Sequence, residues 1–309
     1  MSDDGAAAEA GEAGDATAVF QRHRDRLFGI AYRMLGTVGD AEDVLQDAWL
    51  RWSRVTDPVD RPGAYLARTV TNLALNRLTS AAAQRERYVG PWLPEPLVAE
   101  SAPDVAEEVE QAESVSLAML VVLESLSPAE RAVFVLHEVF GYPHAEIAEA
   151  LGRSEAAVRQ LARRARSHVA ARRPRFDTSA EQRRRVTEEF LAACLGGDLG
   201  RMMELLAPDV VVWSDGGGRA RAALRPVHGA DRTVRWLRGV MNHVPDLAVF
   251  PALVNGRPGV VVTSGGRVDS VASIDLGPDG RIAELRVVRN PEKLRHVPLP
   301  QAPSEGEGA

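Results

Sequence analysis

The side chains best suited to bind another molecule are the arginines of a predicted helix that follows Ser154. Apolar residues recur through this segment at helical spacing and form one face, which would pack against a scaffold. The guanidinium and amide groups on the remaining surface suit hydrogen bonds to base edges and phosphates in the DNA major groove. The DNA-contacting residues predicted here are Arg159, Gln160, Arg163, Arg164 and Arg166.

A shorter predicted helix, 144–151, stands immediately before this one and carries its own apolar seam. Gly152 is suited to end the first helix, and Ser154 is suited to cap the second. Two short helices joined by a tight turn are typical of a helix-turn-helix, whose second helix enters the major groove. An ordinary helical hairpin with a solvated basic face has the same pattern, so this segment alone leaves both interpretations open.

Charge is segregated along the chain, although the net charge is −6. Residues 1–16 hold five acids and no base, and residues 88–127 hold eight acids and no base. Residues 153–185 hold eleven arginines against three acids, a local charge of +8. Because local charge sets the attraction to phosphate, the basic segment favours nucleic-acid binding in spite of the acidic total.

The composition disfavours a membrane or secreted protein. No apolar run approaches the ~18 residues of a membrane span, and the acidic N-terminus lacks the basic and apolar parts of a secretory signal. The single cysteine, Cys194, rules out an intramolecular disulfide and a cysteine-based zinc site, and its apolar neighbours predict a core thiol. The sequence therefore predicts a cytoplasmic protein without membrane contact, and it indicates no metal or cofactor.

Shifts in composition divide the chain into six segments. Runs of β-branched residues at 210–213, 259–262, 268–274 and 282–288, separated by Gly, Pro and Asp, predict a largely antiparallel sheet in the last domain. The predicted segments are a disordered N-terminus (1–16), a helical domain (17–84), an acidic, proline-containing linker (85–120), the helix-turn-helix domain (121–176), an α+β domain (178–297) and a loose tail (298–309).

The helical domain contains a predicted helix that begins after Gly39, with Asp40 as its N-cap. One face is apolar, and the opposite face is acidic and polar. Such a face is either simply solvated or a docking surface for a basic or polar partner helix. The residues of this face are Asp40, Asp43, Gln46 and Asp47.

A second predicted helix of this domain follows Arg61-Pro62-Gly63. Its exposed side, which includes Thr71, is rich in asparagine and arginine, whose side chains suit base-edge and phosphate contacts. Asparagine in a helix interior also costs helix propensity, which slightly favours a role beyond structure. The candidate DNA-binding residues of this helix are Arg68, Asn72, Asn76 and Arg77.

Taken together, residues 39–52, residues 62–76, the segment Leu-Ser-Pro-Ala-Glu-Arg-Ala-Val-Phe-Val-Leu (126–136) and the helix-turn-helix resemble a two-domain sigma factor of the extracytoplasmic-function class. The resemblance covers about residues 17–176. It implies that the acidic helix docks on core RNA polymerase and that the Arg68–Arg77 helix reads the −10 promoter element. It also implies that the Arg159–Arg166 face reads the −35 element, and the loop around Val55–Arg61 is the expected place for an unstacked promoter base.

Three further motifs are Trp92-Leu93-Pro94-Glu95-Pro96-Leu97 in the linker, Asp215-Gly216-Gly217-Gly218-Arg219 (the glycine motif) and Asn290-Pro291-Glu292-Lys293-Leu294 (the terminal motif). Together they resemble those of sigma factors, such as the sigma J type, that carry a C-terminal SnoaL-like domain with an NTF2-like cone. The implied fold is two all-α DNA-binding domains followed by an α+β domain. Relatives usually have Lys in the glycine motif and Asp in the terminal motif, where this chain has Arg219 and Glu292. The implied regulatory contacts are Trp92, Leu93, Pro94, Glu95, Pro96 and Leu97 in the linker, Asp215 and Arg219 in the glycine motif, and Asn290, Pro291, Glu292, Lys293 and Leu294 in the terminal motif.

The third domain has two competing interpretations. In the first it clamps the linker and regulates the factor in cis, because the proline-stiffened apolar linker motif must pack on something. In the second it is an isomerase-like enzyme, with Asp209, Asp215 or His228 as acid or base, or a sensor with a small ligand in the cone. A conventional dimeric repressor is the third alternative for the whole chain, although two different DNA-facing helices argue against it.

Overall fold

A computed structural model of the chain describes residues 4–85, 87–99, 115–172, 178–242 and 244–300. The chain forms two compact units. The first contains the described residues within 1–86 and 122–172, and the second contains those within 87–121 and 173–309. Residues 100–114 of the predicted linker and 301–309 of the predicted tail lie outside the described residues.

Three helices form the N-terminal part of the first unit: α1 (Asp4–Leu35), α2 (Val38–Trp52) and α3 (Pro62–Arg85). The prediction of disorder over 1–16 differs from the structure, since α1 begins at Asp4; its alanine and glutamate residues favour helix. The prediction of Asp40 as an N-cap was wrong. Thr37 is the N-cap of α2, and its hydroxyl donates to Asp40 Oδ2 at 2.6 Å.

The helix-turn-helix is confirmed in the rest of this unit. Helix α4 (Leu117–Glu124) crosses the unit boundary and is followed by α5 (Pro128–Phe134), which Ser127 and Glu130 close with a capping box, and by a π-helical turn (Val135–Val139). The two short helices are α6 (His144–Leu151) and α7 (Glu155–Arg172). Gly152 ends α6 in the left-handed conformation (φ 60°), and Ser154 Oγ accepts from the Ala157 N–H at 3.2 Å.

The second unit is an α+β domain, as predicted. Its helices are α8 (Ala180–Gly196), α9 (Leu199–Leu205) and α10 (Ala230–Met241). Its strands are β1 (Val98–Ala99), β2 (Leu206–Asp215), β3 (Val227–His228), β4 (Ala248–Val254), β5 (Arg257–Ser264), β6 (Arg267–Leu276) and β7 (Ile282–Val288). The sheet order is β1-β4-β5-β6-β7-β2-β3, with only the β2–β7 pair parallel among the described strands.

Helices and strands of the second unit share one apolar core. Phe190 of α8, Met202 of α9, Val234 of α10 and Leu285 of β7 belong to the same buried cluster. Cys194 is buried in it, and burial raises the pKa of its thiol to about 12. The predicted core thiol is thus confirmed. In the part of the chain that the structure covers, no helix is long and apolar enough to span a membrane.

Candidate functional site

The basic face of α7 is exposed to solvent along its length. All five predicted DNA-contacting residues of α7 are exposed, while the apolar residues predicted to form its seam are buried. Arg164 and Arg166 lie near carboxylates of the same unit, 3.3 Å from Glu130 and 3.6 Å from Glu138. The side chains of Arg164 and Arg166 are themselves more than half exposed, so solvent screens these two ion pairs.

The acidic face of α2 holds a counterion, Arg77, which was expected to contact DNA. Arg77 lies 3.2 Å from Asp40, 2.5 Å from Asp43 and 3.8 Å from Asp47. The expectation that Arg77 presents its charge outward on α3 was therefore wrong, since its guanidinium faces α2. Gln46 is exposed beside these carboxylates.

One exposed arginine of α3 and one just before it form ion pairs with α6, the first helix of the helix-turn-helix. Arg68 lies 3.2 Å from Glu149, and Arg61, just before α3, lies 2.6 Å from Glu146. Val59, Asp60 and Arg61 belong to the loop in which an unstacked base is expected, and they line a cleft between α3 and α6.

Asn76 of α3 is exposed, as predicted, but two other polar residues of this helix are less exposed than predicted. Asn72 is half-buried. Thr71, expected on the exposed side, is fully buried, and its hydroxyl donates to Ala67 O at 2.7 Å. A threonine can satisfy its hydroxyl within its own helix in this way, which is why the helical pattern alone did not reveal its burial.

The second unit contains a polar cluster centred on Asp215, at the end of β2. Asp215 is fully buried. Its carboxylate accepts hydrogen bonds from the Tyr88 hydroxyl at 2.6 Å, the Leu93 N–H at 2.8 Å and Lys293 Nζ at 2.7 Å. The linker, the glycine motif and the terminal motif therefore meet at one carboxylate. We refer to Asp215, Lys293, Tyr88 and the backbone of Leu93 as the linker clamp.

Lys293 connects the terminal motif to the linker in three ways. It is 5% exposed, and its ammonium group forms an ion pair with Asp215 and donates to Leu93 O. The same ammonium group lies 4.1 Å from the ring centroid of Trp92 and 4.8 Å from that of Tyr88. A buried lysine needs both an anion and further hydrogen-bond acceptors, and this cluster supplies them.

Tyr88 is a member of the clamp that sequence reasoning missed. Asn290 Nδ2 donates to its hydroxyl oxygen at 2.8 Å, and the hydroxyl donates to Asp215. Burial first, and then the hydrogen bond to Asp215 and the negative charge of that residue, raise the pKa of Tyr88 above its ordinary value. No motif pointed to Tyr88, which lies four residues before the apolar linker motif.

The rest of the linker motif is held by backbone contacts. Leu97 donates to Asn255 Oδ1 at 3.2 Å and accepts from the Asn255 N–H at 2.7 Å. Strand β1 then pairs with β4, with Val98 opposite Val254. Nε2 of His296 lies 2.8 Å from Pro96 O. Asn255 and His296 were also missed, because neither belongs to a motif.

The glycines of Asp215-Gly-Gly-Gly-Arg219 allow the linker to approach closely. A Cβ at Gly217, whose φ is 56°, would lie 2.3 Å from Asn290 Nδ2 and 2.7 Å from the Tyr88 hydroxyl oxygen. Only glycine fits there, on grounds of both conformation and space. The two departures from the usual motifs contact each other, since Arg219 lies 3.0 Å from Glu292.

Both helical parts of the chain match known sequence families. Residues 19–84 match the family described as Sigma-70 region 2, and residues 116–169 match the one described as Sigma-70, region 4. The ECF RNA polymerase sigma factor SigJ of Mycobacterium tuberculosis H37Rv is 40% identical over 301 residues, which are 94% of this chain and 96% of that protein. This chain belongs to the extracytoplasmic-function sigma factors.

Two further comparisons each cover at least 90% of this sigma factor. The Probable ECF RNA polymerase sigma factor SigI of M. tuberculosis is 34% identical over 90% of this chain and 94% of that protein. The crystal structure of M. tuberculosis SigJ superposes with a TM-score of 0.74 at 38% identity and covers 92% of this chain and 100% of that chain. The sigma factor thus combines regions 2 and 4 with a C-terminal SnoaL-like α+β domain. Sigma factors of this family support promoter-specific transcription initiation.

The environment of Tyr88 predicts how the stability of this sigma factor depends on pH. Because the folded pKa is raised, the unfolded chain loses the Tyr88 proton first, above its ordinary value of about 10. The contribution of Tyr88 should be complete below that pH and decline as the pH rises further. Urea unfolding of wild type and Tyr88→Phe between about pH 8 and 11 checks this, and the difference between them should shrink at the alkaline end. A constant difference would contradict the raised pKa of Tyr88 that its burial and its hydrogen bond to Asp215 produce.

Proposed function

We propose that this sigma factor is regulated in cis by its third domain, which holds the linker between regions 2 and 4. The observation that carries the proposal is the fully buried Asp215 carboxylate, which binds the Leu93 backbone of the linker and the Lys293 ammonium group of the terminal motif. The linker is covalently joined to both DNA-binding regions. Binding of the linker to the third domain, or its release, therefore affects both DNA-binding regions.

The residue assignments follow from exposure and charge. We assign −35 recognition to the exposed α7 residues Arg159, Gln160, Arg163, Arg164 and Arg166, and −10 recognition to Arg68, Asn72 and Asn76. Core RNA polymerase would dock on Asp40, Asp43, Gln46 and Asp47, with Arg77 orienting their carboxylates. The proposed domain limits are 17–84 for region 2, 85–120 for the linker, 121–176 for region 4 and 178–297 for the third domain.

Within the first unit, the pairs Arg61–Glu146 and Arg68–Glu149 hold the −10 helix against region 4. Arg61, Arg68 and Glu149 are at least half exposed, and exposed ion pairs contribute only about 0–1 kcal/mol. Promoter phosphates and polymerase can therefore displace Glu146 and Glu149 at little cost. Such weak ion pairs fit a sigma factor that must expose the −10-binding residues of α3 when it binds polymerase.

The residues of the enzymatic alternative have other surroundings. Asp209 and His228 are exposed, whereas both carboxylate oxygens of Asp215 are engaged by the linker and Lys293. We therefore propose a structural and regulatory role for Asp215, with the protein acting in the cytoplasm. A small ligand within the third domain stays a prediction.

The α7 assignment predicts a specific loss of affinity. Arg163→Ala should weaken promoter binding by about 1–3 kcal/mol if its guanidinium makes a bidentate base contact. Fluorescence anisotropy with promoter and scrambled duplexes measures this, and Arg172→Ala, in the last turn of the same helix, is the matched control. A loss equal on both duplexes would assign Arg163 to phosphate, and no loss on either would contradict the recognition face.

In vitro transcription with core RNA polymerase tests the regulatory role. We compare the full chain with one that ends at Pro300, which keeps the linker clamp, and one that ends at Val288, which removes Lys293. The Pro300 version should match the full chain, and the Val288 version should differ in promoter output. Identical output from the two shortened chains would contradict the proposal, and absence of promoter-specific transcripts from all three would contradict the assignment of these residues to promoter recognition.

A further inference from the structure

The third domain carries a basic surface that the linker clamp does not use. Residues 219–238, which form the loop after the glycine motif, β3 and most of α10, contain six arginines and one acid, Asp231. All six guanidinium-bearing residues are at least partly exposed. We call this set the α10 patch, and its members are Arg219, Arg221, Arg225, Arg232, Arg235 and Arg238.

Most of this charge is not neutralised within the domain. Arg219 pairs with Glu292, and Arg235 pairs with Asp231. For Arg221, Arg225, Arg232 and Arg238, the described residues provide no carboxylate within ion-pair distance. The net charge of −6 for the whole chain therefore conceals a local excess of positive charge, which sets attraction to a polyanion.

The patch stands on a firm support. Ala230, Thr233 and Val234 bury one face of α10 against the core, which leaves the arginines on the outer face. The loop is held because Arg289 Nη1 donates to Arg221 O at 2.7 Å, and Arg289 itself pairs with Asp269 at 2.7 Å. The side chains thus extend from positions fixed by the fold, which lowers the entropy cost of presenting them together.

The spacing of the arginines suits duplex DNA. From Arg232 to Arg238 the helix rises roughly 9 Å, and a duplex carries one negative charge per about 1.7 Å of axis. An array of several guanidinium groups over that length faces several phosphates at once. Among residues 219–238 the one large apolar side chain that is mostly exposed is Leu224, at 67%. A single such side chain among six arginines favours a polyanion over an apolar protein partner.

We propose that the α10 patch binds the phosphate backbone of duplex DNA, as a sequence-independent third contact besides regions 2 and 4. This proposal rests on the proposed function only in one respect, namely that promoter DNA is the duplex to which the sigma factor is bound. The contact would add affinity without reading bases, because phosphates carry no sequence information directly. It would also link the position of the third domain to DNA occupancy.

Salt dependence of binding tests the proposal. Affinities of the full-length protein for fluorescent promoter and scrambled duplexes of equal length are measured over a range of salt concentrations. The test variant is Arg221→Gln/Arg225→Gln/Arg232→Gln/Arg238→Gln. The steepness of log K against log salt should fall by about 0.9 for each phosphate that the variant no longer neutralises, hence by about 2 to 3.5, and equally on both duplexes.

A charge-matched control separates the patch from net charge. The control is Arg201→Gln/Arg267→Gln/Arg281→Gln/Arg295→Gln, which removes the same charge from exposed positions elsewhere in the domain, outside the basic segment 153–185. It should keep the wild-type slope, and circular dichroism should show both variants folded. Equal slopes for the wild type, the test variant and the control would overturn the proposal, as would a slope lowered as much by the control as by the test variant. The scrambled duplex carries no promoter, so this result is independent of the promoter assignments.

Discussion

Asp215→Ala is expected to lower the free energy of unfolding of the second unit by about 3–5 kcal/mol, because it leaves a buried ammonium group without its anion. Lys293 is 5% exposed, and its ammonium group forms an ion pair with Asp215. The same change removes the acceptor for the Leu93 N–H and the Tyr88 hydroxyl. The linker should therefore separate from the third domain even under conditions in which the sheet stays folded.

Denaturant unfolding and amide hydrogen exchange at Leu93 measure the two parts of this prediction. Asp279→Ala, in an exposed turn of the same domain, is the control and should change stability by less than about 1 kcal/mol. The double variant Asp215→Ala/Lys293→Met should recover part of the loss, since neither charge is then buried alone. A loss below about 1 kcal/mol for Asp215→Ala, with Leu93 still protected, would contradict the clamp.

Glu124→Gln is expected to destabilise the first unit to a similar extent, by about 3–5 kcal/mol. Arg131, in the middle of α5, is among the largest fully buried side chains, and it lies 2.5 Å from Glu124. Its Nε also donates to Arg33 O at 3.0 Å and so connects region 4 to α1 of region 2. Neutralising Glu124 leaves this guanidinium charge buried without its carboxylate.

Glu138→Gln is the matched control for this change. Glu138 is more exposed and lies 3.6 Å from Arg166, so its loss should cost less than about 1 kcal/mol. Urea unfolding monitored by circular dichroism compares the two. Combining Glu124→Gln with Arg131→Met should restore much of the stability, because an apolar side chain then replaces the buried charge. Equal losses for Glu124→Gln and Glu138→Gln would show that burial of Arg131 does not matter.

Local features of this fold were predictable because their causes are local. Gly152, Ser154 and the apolar seam of α7 act within a few residues, and the structure confirms all three. The prediction of the N-cap of α2 was wrong because Thr37 and Asp40, three residues apart, are both suitable N-cap residues. Sequence preference alone does not choose between them.

Elements whose signals conflict were missed. Strand β4 contains Pro251, and a proline weakens the sequence pattern of a strand. The neighbouring strand β1 pairs only with Leu253 and Val254 of β4. Pro251 therefore lies on an edge that β1 does not cover, where a proline is tolerated. Helix α10 has a clear apolar face, but its many arginines occupy the other one. The predicted strand runs within β2, β5, β6 and β7 had no such conflict, and all four were found.

The contacts of the linker clamp could not be predicted from the sequence, because they join residues that are far apart in the chain. The motifs themselves were evident in the sequence, but Tyr88 is 127 residues from Asp215, and Asn290 is 202 residues from Tyr88. Nothing local to Tyr88 or Asn255 marks them as partners. Arg77 shows the converse case, since a residue apparently suited to DNA proved to face the carboxylates of α2.

The most direct test of the central claim locks the linker onto the third domain and releases it again in the same molecule. A Cβ at Gly218 would lie 3.3 Å from Val89 Cβ, slightly less than the roughly 3.5–4.5 Å of a disulfide. The φ of Gly218 is 71°, so a cysteine there adds backbone strain, for which the Gly218→Cys single variant is the control. The variant Val89→Cys/Gly218→Cys would be assayed for promoter-specific transcription with core RNA polymerase, oxidised and then reduced, beside each single variant. We predict that promoter output differs between the oxidised and reduced forms of the double variant only. Equal output from a fully disulfide-bonded and a fully reduced protein would contradict regulation through the linker.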